Sequence, residues 1–162
     1  MSQEYKIIFV CTANTCRSYM AEVIAESYLA LRYPAANIHI SSAGTGCLAE
    51  EPAALQAQTV MAEMGYTNKA HRARRLTTAM VNEANLVFTM TDRQRMDILR
   101  LAPEARDKVF LLKEYTQVAE EKTGLNDLDI IDPFGEDVEF YRSCAREIVP
   151  LVSRVLDGIL KM

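Results

Sequence analysis

The sequence has few of the residues that mark non-globular chains, with only 6 glycines and 5 prolines among 162 residues. This scarcity excludes a collagen-like or low-complexity chain. Apolar residues make up 49% of the chain and charged residues 25%, which are the proportions of a folded globular protein. Because the length suits one ordinary domain and no repeat or linker interrupts it, we predict a single domain over residues 1–162.

Long apolar runs are also missing from the sequence. Every such run is well short of the ~20 residues that a membrane helix needs, and residues 1–10 carry no long hydrophobic region or cleavage signal. We therefore expect a cytoplasmic protein that does not bind a membrane. In that compartment the 4 cysteines are expected to be mainly reduced thiols rather than a disulfide framework.

An excess of positive charge is absent too. The formal net charge is -4 and no basic stripe is present, which argues against nucleic acid as a partner. The densest basic stretch, residues 71–75, is interpreted as a solvated face. The 2 histidines and the scattered cysteines lack the spacing of metal ligands, so we predict no metal site.

Segments typical of strands and helices alternate along the chain. Short apolar runs predict strands at residues 6–10, 38–42, 85–89 and 109–112. Helical spacing and end signals predict helices from the end of the first loop to Pro34, over 52–64, from Thr77-Thr78, from Thr91 to Leu101, and from about Glu136. This alternation predicts an α/β fold with a parallel sheet covered by helices on both faces.

The loop between the first strand and the first helix, residues 11–18, has little reason to exist for packing. In a parallel sheet, ligands bind beyond the carboxyl ends of the strands, which is where this loop lies. Successive backbone N–H groups in a tight loop can surround an anion, and the N-terminus of the following helix favours negative charge. Arg17 adds a planar, permanently charged group that can hold two phosphate oxygens. The loop is therefore interpreted as a phosphate-binding site.

Cys11 begins this loop at the end of the strand, where its sulfur can lie at the base of the anion site. The N–H dipoles and the guanidinium stabilise a thiolate there, which makes Cys11 the candidate nucleophile. Ser18 can donate a hydrogen bond to that sulfur, and Asn14 belongs to the few residue types that tolerate positive φ. Cys16, beside Arg17, is not expected to be the nucleophile.

A cysteine followed by five residues and Arg-Ser, directly after a strand, resembles the low-molecular-weight protein phosphatase family. Three further segments occur in the family's order, so that the resemblance covers nearly the whole chain: residues 41–45 (SSAGT), 71–74 (HRAR) and 132–134 (DPF). It implies a flavodoxin-like, three-layer sandwich whose four-stranded parallel sheet has the order 2-1-3-4.

The resemblance also implies a role for each matching residue. Cys11 would attack phosphorus, Arg17 would bind the phosphoryl oxygens, and Asp132 would protonate the leaving group and then activate water. The remaining positions would bind the substrate or support the loop. Those that line the substrate are Thr12, Ala13, Asn14, Thr15, Cys16, Ser18 and Phe134, and those that support the loop are Asn14, Ser18, Ser42 and His71.

Two positions depart from the family pattern, and several assignments have rivals. Ala13 replaces the usual glycine, and Tyr19 replaces a frequent proline and is expected at the rim of the pocket.

Asp127 and Asp129 are rival candidates for the general acid. One further hypothesis is that Cys16 traps an oxidised Cys11 as a reversible disulfide. The other two cysteines, Cys47 and Cys144, are interpreted as structural.

The fifth residue of the loop, Thr15, favours phosphoarginine over phosphotyrosine as the substrate. Tyrosine-directed members of the family usually carry isoleucine there, whereas threonine gives the pocket wall a smaller and more polar side chain, which suits a guanidinium. The branch that acts on protein phosphoarginine resembles this chain in its loop and in the segment Asp132-Pro133-Phe134-Gly135. Phosphotyrosine is the alternative substrate.

Two other functional classes fit the sequence less well. An arsenate reductase on this fold is a remote alternative, because residues 89–94 lack the redox cysteines that it needs. A phosphate-binding module without activity is disfavoured by intact Cys11, Arg17 and Asp132. We expect a monomer that acts on a phosphorylated protein, binds phosphate and other oxyanions, and needs no cofactor.

Overall fold

The protein is described by a computed structural model that covers residues 3–67, 70–116 and 128–161. The strands are β1 (Tyr5–Cys11), β2 (Ile38–Gly44), β3 (Leu86–Thr89) and β4 (Val109–Leu111). The helices are α1 (Arg17–Arg32), α2 (Leu55–Glu63), α3 (Thr78–Glu83), α4 (Asp92–Leu101), α5 (Leu112–Thr116) and α6 (Val138–Leu160), with a 3₁₀ helix at Pro103–Lys108.

The four strands form one parallel sheet in the order β2-β1-β3-β4, as the resemblance implied. Since side chains alternate across a strand, Ile7 and Phe9 of β1 face a core made with α1, α2 and α6, while Ile8 and Val10 face a second core made with α3 and α4. The predicted three-layer α/β architecture is confirmed. Because β1 lies at the centre of the sheet, the loop that follows it is supported on both sides.

Several boundaries differ from the prediction, most of them by one or two residues. The second helix begins at Leu55 instead of Pro52, because the N–H of Ala54 donates to the carbonyl of Thr15 and the carbonyl of Glu51 accepts from Ala73. These bonds hold the preceding segment against the first loop at Thr15 and against the segment that contains Ala73. The fourth strand ends at Leu111, and Leu112 begins α5, which the sequence did not predict. The 3₁₀ helix was not predicted either.

Helix starts at polar residues were predicted correctly. Thr77 caps α3 by accepting from the N–H of Met80. Thr91 caps α4 through a reciprocal capping box, in which Gln94 accepts from the N–H of Thr91. The start of α4 thereby lies at the same edge of the sheet as the first loop.

Candidate active site

The loop between β1 and α1 closes over the carboxyl end of the sheet. The carbonyl oxygens of Cys11 and Thr12 accept from the N–H groups of Thr45 and Gly46, at 2.9 and 2.8 Å. Asn14 has φ of 62°, as its residue type predicted, whereas Ala13 is not among the residues with positive φ. The replacement of glycine by Ala13 therefore requires no left-handed backbone.

Gly44, at the end of β2, allows the loop to lie this close. A Cβ atom on Gly44 would be 2.4 Å from the carbonyl oxygen of Thr12 and 3.1 Å from the carbonyl carbon of Ala13. Both of these atoms belong to the backbone, which cannot move aside without opening the loop. Glycine at this position is thus a steric requirement of the loop geometry.

Cys11 has its sulfur at the base of the loop. The residue is buried, and its Sγ lies 2.9 Å from Oγ of Ser18 in the first turn of α1. A hydroxyl at this distance can donate to a sulfur anion, and the N-terminus of α1 adds a favourable dipole. The predicted pairing of Cys11 with Ser18 is present in the structure.

The other thiols near the loop have a different environment. Burial raises the pKa of Cys16, although the hydroxyl of Tyr141, 3.3 Å from its sulfur, opposes that change. Burial also raises the pKa of Cys144 to about 12. Cys16 and Cys144 therefore stay protonated at neutral pH. The reversible disulfide between Cys11 and Cys16 stays a prediction.

The side chain of Asn14 lies at the centre of the hydrogen bonds beneath the loop. Its Nδ2 donates to Oγ of Ser18 at 2.8 Å and to Oγ of Ser42 at 3.0 Å, and its Oδ1 accepts from the N–H of Arg74 at 3.1 Å. Its carbonyl oxygen accepts from Nε2 of His71 at 2.7 Å. The structure thus brings together all four residues that the sequence assigned to loop support.

Two residues near the loop were missed at the sequence level. Glu22 is buried and accepts a hydrogen bond from Oγ of Ser42, which extends the chain of contacts away from Cys11. Its position four residues after Ser18 in α1 places both on one helix face, and that spacing was an available signal. Gln94, also buried, donates from Nε2 to Oγ1 of Thr12 at 3.1 Å.

Tyr19 does not lie at the pocket rim, so the expectation stated for it was wrong. Only 1% of Tyr19 is exposed, and its ring centroid is 4.9 Å from that of His71. Tyr19 is the third residue of α1, and the helix turns it towards the His71 segment instead of solvent. The replacement of proline therefore supports the loop from below.

Arg17 is a buried cation that is only partly neutralised. Its Nη1 donates to the carbonyl of Ile130 at 2.8 Å, and its Nη2 lies 3.5 Å from Oδ2 of Asp132. Its Nε has no hydrogen-bond partner, and it is the single buried side-chain nitrogen or oxygen without one among the residues that the structure describes. A buried donor left unpaired is costly unless a ligand accepts from it.

Asp132 faces Arg17 from the loop before α6. Its side chain is about half exposed, and its Oδ1 accepts from the N–H of Phe134 at 3.0 Å. The rival acid Asp129 is engaged elsewhere, because its Oδ1 accepts from the N–H of Asp92 at 2.9 Å. The other rival, Asp127, lies outside the described residues.

These groups surround a cavity of about 230 Å³. Its wall combines the candidate nucleophile, the cation and the carboxylate with one aromatic side chain. The lining residues are Cys11, Thr12, Ala13, Thr15, Cys16, Arg17, Asp132 and Phe134. Phe134 lies at the edge of the cavity and is 69% exposed. The arrangement can hold a small oxyanion above a sulfur atom, with an acid at the opening.

The described parts of the chain contain neither a metal-binding cluster nor a membrane-spanning helix. No group of three or more His, Cys, Asp or Glu residues is arranged to hold a metal ion. None of the helices in those ranges has the length and the apolar character needed to span a bilayer.

The chain is similar to known phosphatases along most of its length. The family model described as low molecular weight phosphotyrosine protein phosphatase matches residues 6–161. A protein-arginine-phosphatase of Geobacillus stearothermophilus is 34% identical over 155 residues, which cover 96% of each chain. A probable low molecular weight protein-tyrosine-phosphatase, EpsP of Ralstonia nicotianae, is 31% identical over 94% of this chain and 91% of its own.

Solved structures show the same similarity. The YwlE arginine phosphatase from Geobacillus stearothermophilus has a TM-score of 0.84 at 34% identity, over 97% of this chain and 94% of its own. A YwlE variant with serine in place of the active-site cysteine, whose serine is phosphorylated, has a TM-score of 0.82 at 31% identity, over 95% of each chain.

Proposed function

The chain belongs to the low molecular weight phosphotyrosine protein phosphatase family, and we propose that it hydrolyses phosphoarginine in proteins, with Cys11 as the nucleophile. Membership makes it a cysteine-dependent phosphatase that acts on phosphorylated protein substrates. What we propose beyond membership is the role of each residue and the identity of the phosphorylated side chain.

The observation that carries the proposed roles is the unpaired Nε of Arg17. Arg17 is 3% exposed, its Nη1 donates to the carbonyl of Ile130, and its Nε has no partner among the described residues. A phosphoryl oxygen in the 230 Å³ cavity would accept from this nitrogen and complete its hydrogen bonding. The same oxyanion would then lie against the sulfur of Cys11, which is part of the cavity wall.

In the first step, the thiolate of Cys11 attacks phosphorus. A sulfur–phosphorus bond forms while the bond from phosphorus to the leaving atom breaks, and that atom is nitrogen in phosphoarginine and oxygen in phosphotyrosine. Asp132, about half exposed at the cavity opening, gives its proton to the leaving atom. Arg17 stabilises the charge on the phosphoryl oxygens, and Ser18 stabilises the thiolate before attack.

In the second step, water hydrolyses the phosphocysteine. Asp132, now a carboxylate, accepts a proton from the water as the new oxygen–phosphorus bond forms and the sulfur–phosphorus bond breaks. Phosphate leaves and the Cys11 thiolate is restored. The YwlE variant with a phosphorylated active-site serine supports a covalent intermediate on the corresponding nucleophile.

The wall of the cavity supports phosphoarginine as the substrate. Thr15 contributes a short, polar side chain where a larger apolar one would suit a phenyl ring, and Asp132 can pair with a guanidinium. A protein-arginine-phosphatase is also among the most similar relatives, at 34% identity. Phosphotyrosine remains the second candidate, because exposed Phe134 at the cavity edge can pack against a phenol ring and EpsP is 31% identical.

The test compares kcat/KM on phosphoarginine and phosphotyrosine peptides for the native protein, Thr15→Ile and Thr15→Val. Native protein should prefer phosphoarginine. Thr15→Ile should move the ratio towards phosphotyrosine by about tenfold or more, since one or two methylenes in a pocket are worth roughly 1–3 kcal/mol. Thr15→Val keeps the size of threonine and removes only the hydroxyl, so it separates polarity from volume.

Two results would count against the proposal. A native preference for phosphotyrosine would assign the second candidate instead. A ratio that is the same in native protein and Thr15→Ile would remove Thr15 from substrate selection.

A further inference from the structure

A second cavity adjoins the catalytic one. It has a volume of about 470 Å³ and shares Thr12, Arg17 and Asp132 with the catalytic cavity. Its far wall comes from the start of α4, including Arg93 and Asp97. A third cavity of about 330 Å³ shares Thr45 and Asp97 with the second and extends to Arg75 and Leu101. We call the second and third cavities together the flanking groove.

The uncompensated charge of the flanking groove is positive. Asp97 forms an ion pair with Arg100 at 3.0 Å, and Asp132 faces Arg17. Asp129 is then the one carboxylate of the lining outside an ion pair, and its Oδ1 accepts from the neutral N–H of Asp92. Arg93 and Arg75 are exposed, and neither side chain makes a hydrogen bond or ion pair with any residue in the described ranges. Two free guanidinium groups therefore lie along the groove that leads out of the catalytic cavity.

The catalytic cavity has room for little more than one phosphorylated side chain, so the rest of a protein substrate must leave across its edge. At the edge formed by Thr12 and Asp132 it meets the flanking groove. With two free arginines against one carboxylate outside an ion pair, the groove keeps a net positive charge that attracts carboxylates, and the attraction weakens with salt.

We propose that the flanking groove binds the substrate chain beside the phosphorylated residue and selects acidic side chains there. Arg93 faces the first acidic residue, and Arg75 faces one further along the chain. The inference rests on the proposed phosphatase function, which it deepens by naming the sequence around the phosphorylated residue.

The test uses peptides that differ only in the two residues on one side of the phosphorylated one. The two residues are Glu-Glu, Ser-Ser or Lys-Lys, and they stand either directly before or directly after the phosphorylated residue. Each peptide is made once with phosphoarginine and once with phosphotyrosine. Native protein, Arg93→Ala, Arg93→Lys and Arg93→Glu are compared, with Arg106→Ala as the control. Arg106 is an exposed arginine of the 3₁₀ helix that lines none of these three cavities.

For native protein and Arg106→Ala, kcat/KM should be about two- to fivefold higher on the Glu peptide than on the Ser peptide, which is the range for exposed charge pairs. This preference should occur on only one side of the phosphorylated residue. The preference should act mainly through KM and shrink at high salt. Arg93→Ala should bring the ratio close to one, Arg93→Lys should largely restore it, and Arg93→Glu should favour the Lys peptide.

Equal rates on all native peptides would overturn the inference, and so would a preference for Glu that survives both Arg93→Ala and Arg93→Glu. The proposed function is judged separately, by whether any of the peptides is hydrolysed. Turnover without discrimination therefore rejects the groove assignment alone.

Discussion

At the scale of single residues, three thiols around the first loop have different surroundings, and only one of them is the proposed nucleophile. Cys11 lies in the cavity wall beside the Ser18 hydroxyl, whereas burial raises the pKa values of Cys16 and Cys144. Because thiolates, not thiols, react with alkylating agents, limiting iodoacetamide at neutral pH should label Cys11 first. Peptide mapping by mass spectrometry measures the order of labelling.

Inorganic phosphate should slow this labelling, since it occupies the same cavity. Faster labelling of Cys16 or Cys144 than of Cys11 would contradict the assignment of the nucleophile. Labelling that phosphate does not slow would contradict the location of the anion site.

Asp132 should matter most when the leaving group is poor. Asp132→Asn removes the proton donor, so turnover should fall by roughly 10²–10⁴-fold on a peptide substrate, and by less on para-nitrophenyl phosphate, whose leaving group needs less help. Asp129→Asn is the matched control, because Asp129 binds the N–H of Asp92 instead of facing Arg17. Steady-state kinetics on both substrates measures the difference, and equal losses in the two variants would return Asp129 to candidacy.

Residue-level contacts were predictable where they are local in sequence. The pairing of Cys11 with Ser18 and the positive φ of Asn14 follow from a short loop next to a helix. Two features that depend on distant segments were missed. Glu22 accepts a hydrogen bond from Ser42, and Tyr19 is buried against His71. Helical spacing places Glu22 on the same face of α1 as Ser18, but it does not say which other segment covers that face.

At the scale of elements, the end of β2 determines how the loop after β1 is held. Gly44→Ala should destabilise the protein by about 1–3 kcal/mol and lower turnover, because the new methyl group meets backbone atoms of Thr12 and Ala13. In Gly46→Ala the nearest contact is a methyl group of Thr12 at 3.2 Å, which can shift, so the effect should be smaller. Urea unfolding and kcat together measure both effects, and equal losses would contradict the steric argument.

Element types were predictable because apolar runs and capping residues are local signals. Thr77 and Thr91 cap α3 and α4 as their sequence positions indicated. The start of α2 was misplaced by three residues, since Ala54 and Glu51 bond to the first loop and to Ala73. The short α5 lacks the length that makes a helical pattern visible in sequence.

At the scale of the whole molecule, α1 and α6 are joined at their C-terminal ends by one carboxylate. Oδ1 of Asp157 accepts from the hydroxyls of Tyr33 and Tyr28, at 2.6 and 2.7 Å, and these bonds lower the pKa of Asp157. A lowered pKa stabilises the folded state at pH values above the unfolded value, about 4 for an aspartate. That stabilisation is lost as the pH falls below about 4, the pKa of an aspartate in the unfolded chain.

The free energy of unfolding should therefore fall less steeply below about pH 4 in Asp157→Asn than in the native protein. Asp107→Asn is the control, because Asp107 is exposed in the 3₁₀ helix and has no partner among the described residues. Urea titrations at several pH values measure the slopes. Parallel slopes for native protein and Asp157→Asn would contradict the linkage.

The sheet order is a property of the whole molecule that composition and periodicity did not determine. Alternating strands and helices predicted a parallel sheet with two covered faces, but the order 2-1-3-4 came from the resemblance to a family. Whether the protein is a monomer, and whether residues 1–162 form one domain, stay predictions. The oligomeric state depends on contacts between chains, which a single chain does not contain.

The most direct test of the account is to look for phosphate on Cys11 during turnover. Native protein and Asp132→Asn are mixed with para-nitrophenyl phosphate, quenched within milliseconds and mapped by mass spectrometry, with Cys11→Ala as the control. If Cys11 is the nucleophile, the peptide that contains Cys11 should carry a phosphoryl group, with more of it in Asp132→Asn, and Cys11→Ala should show neither adduct nor turnover. A phosphoryl group on another residue, or continued turnover in Cys11→Ala, would contradict it.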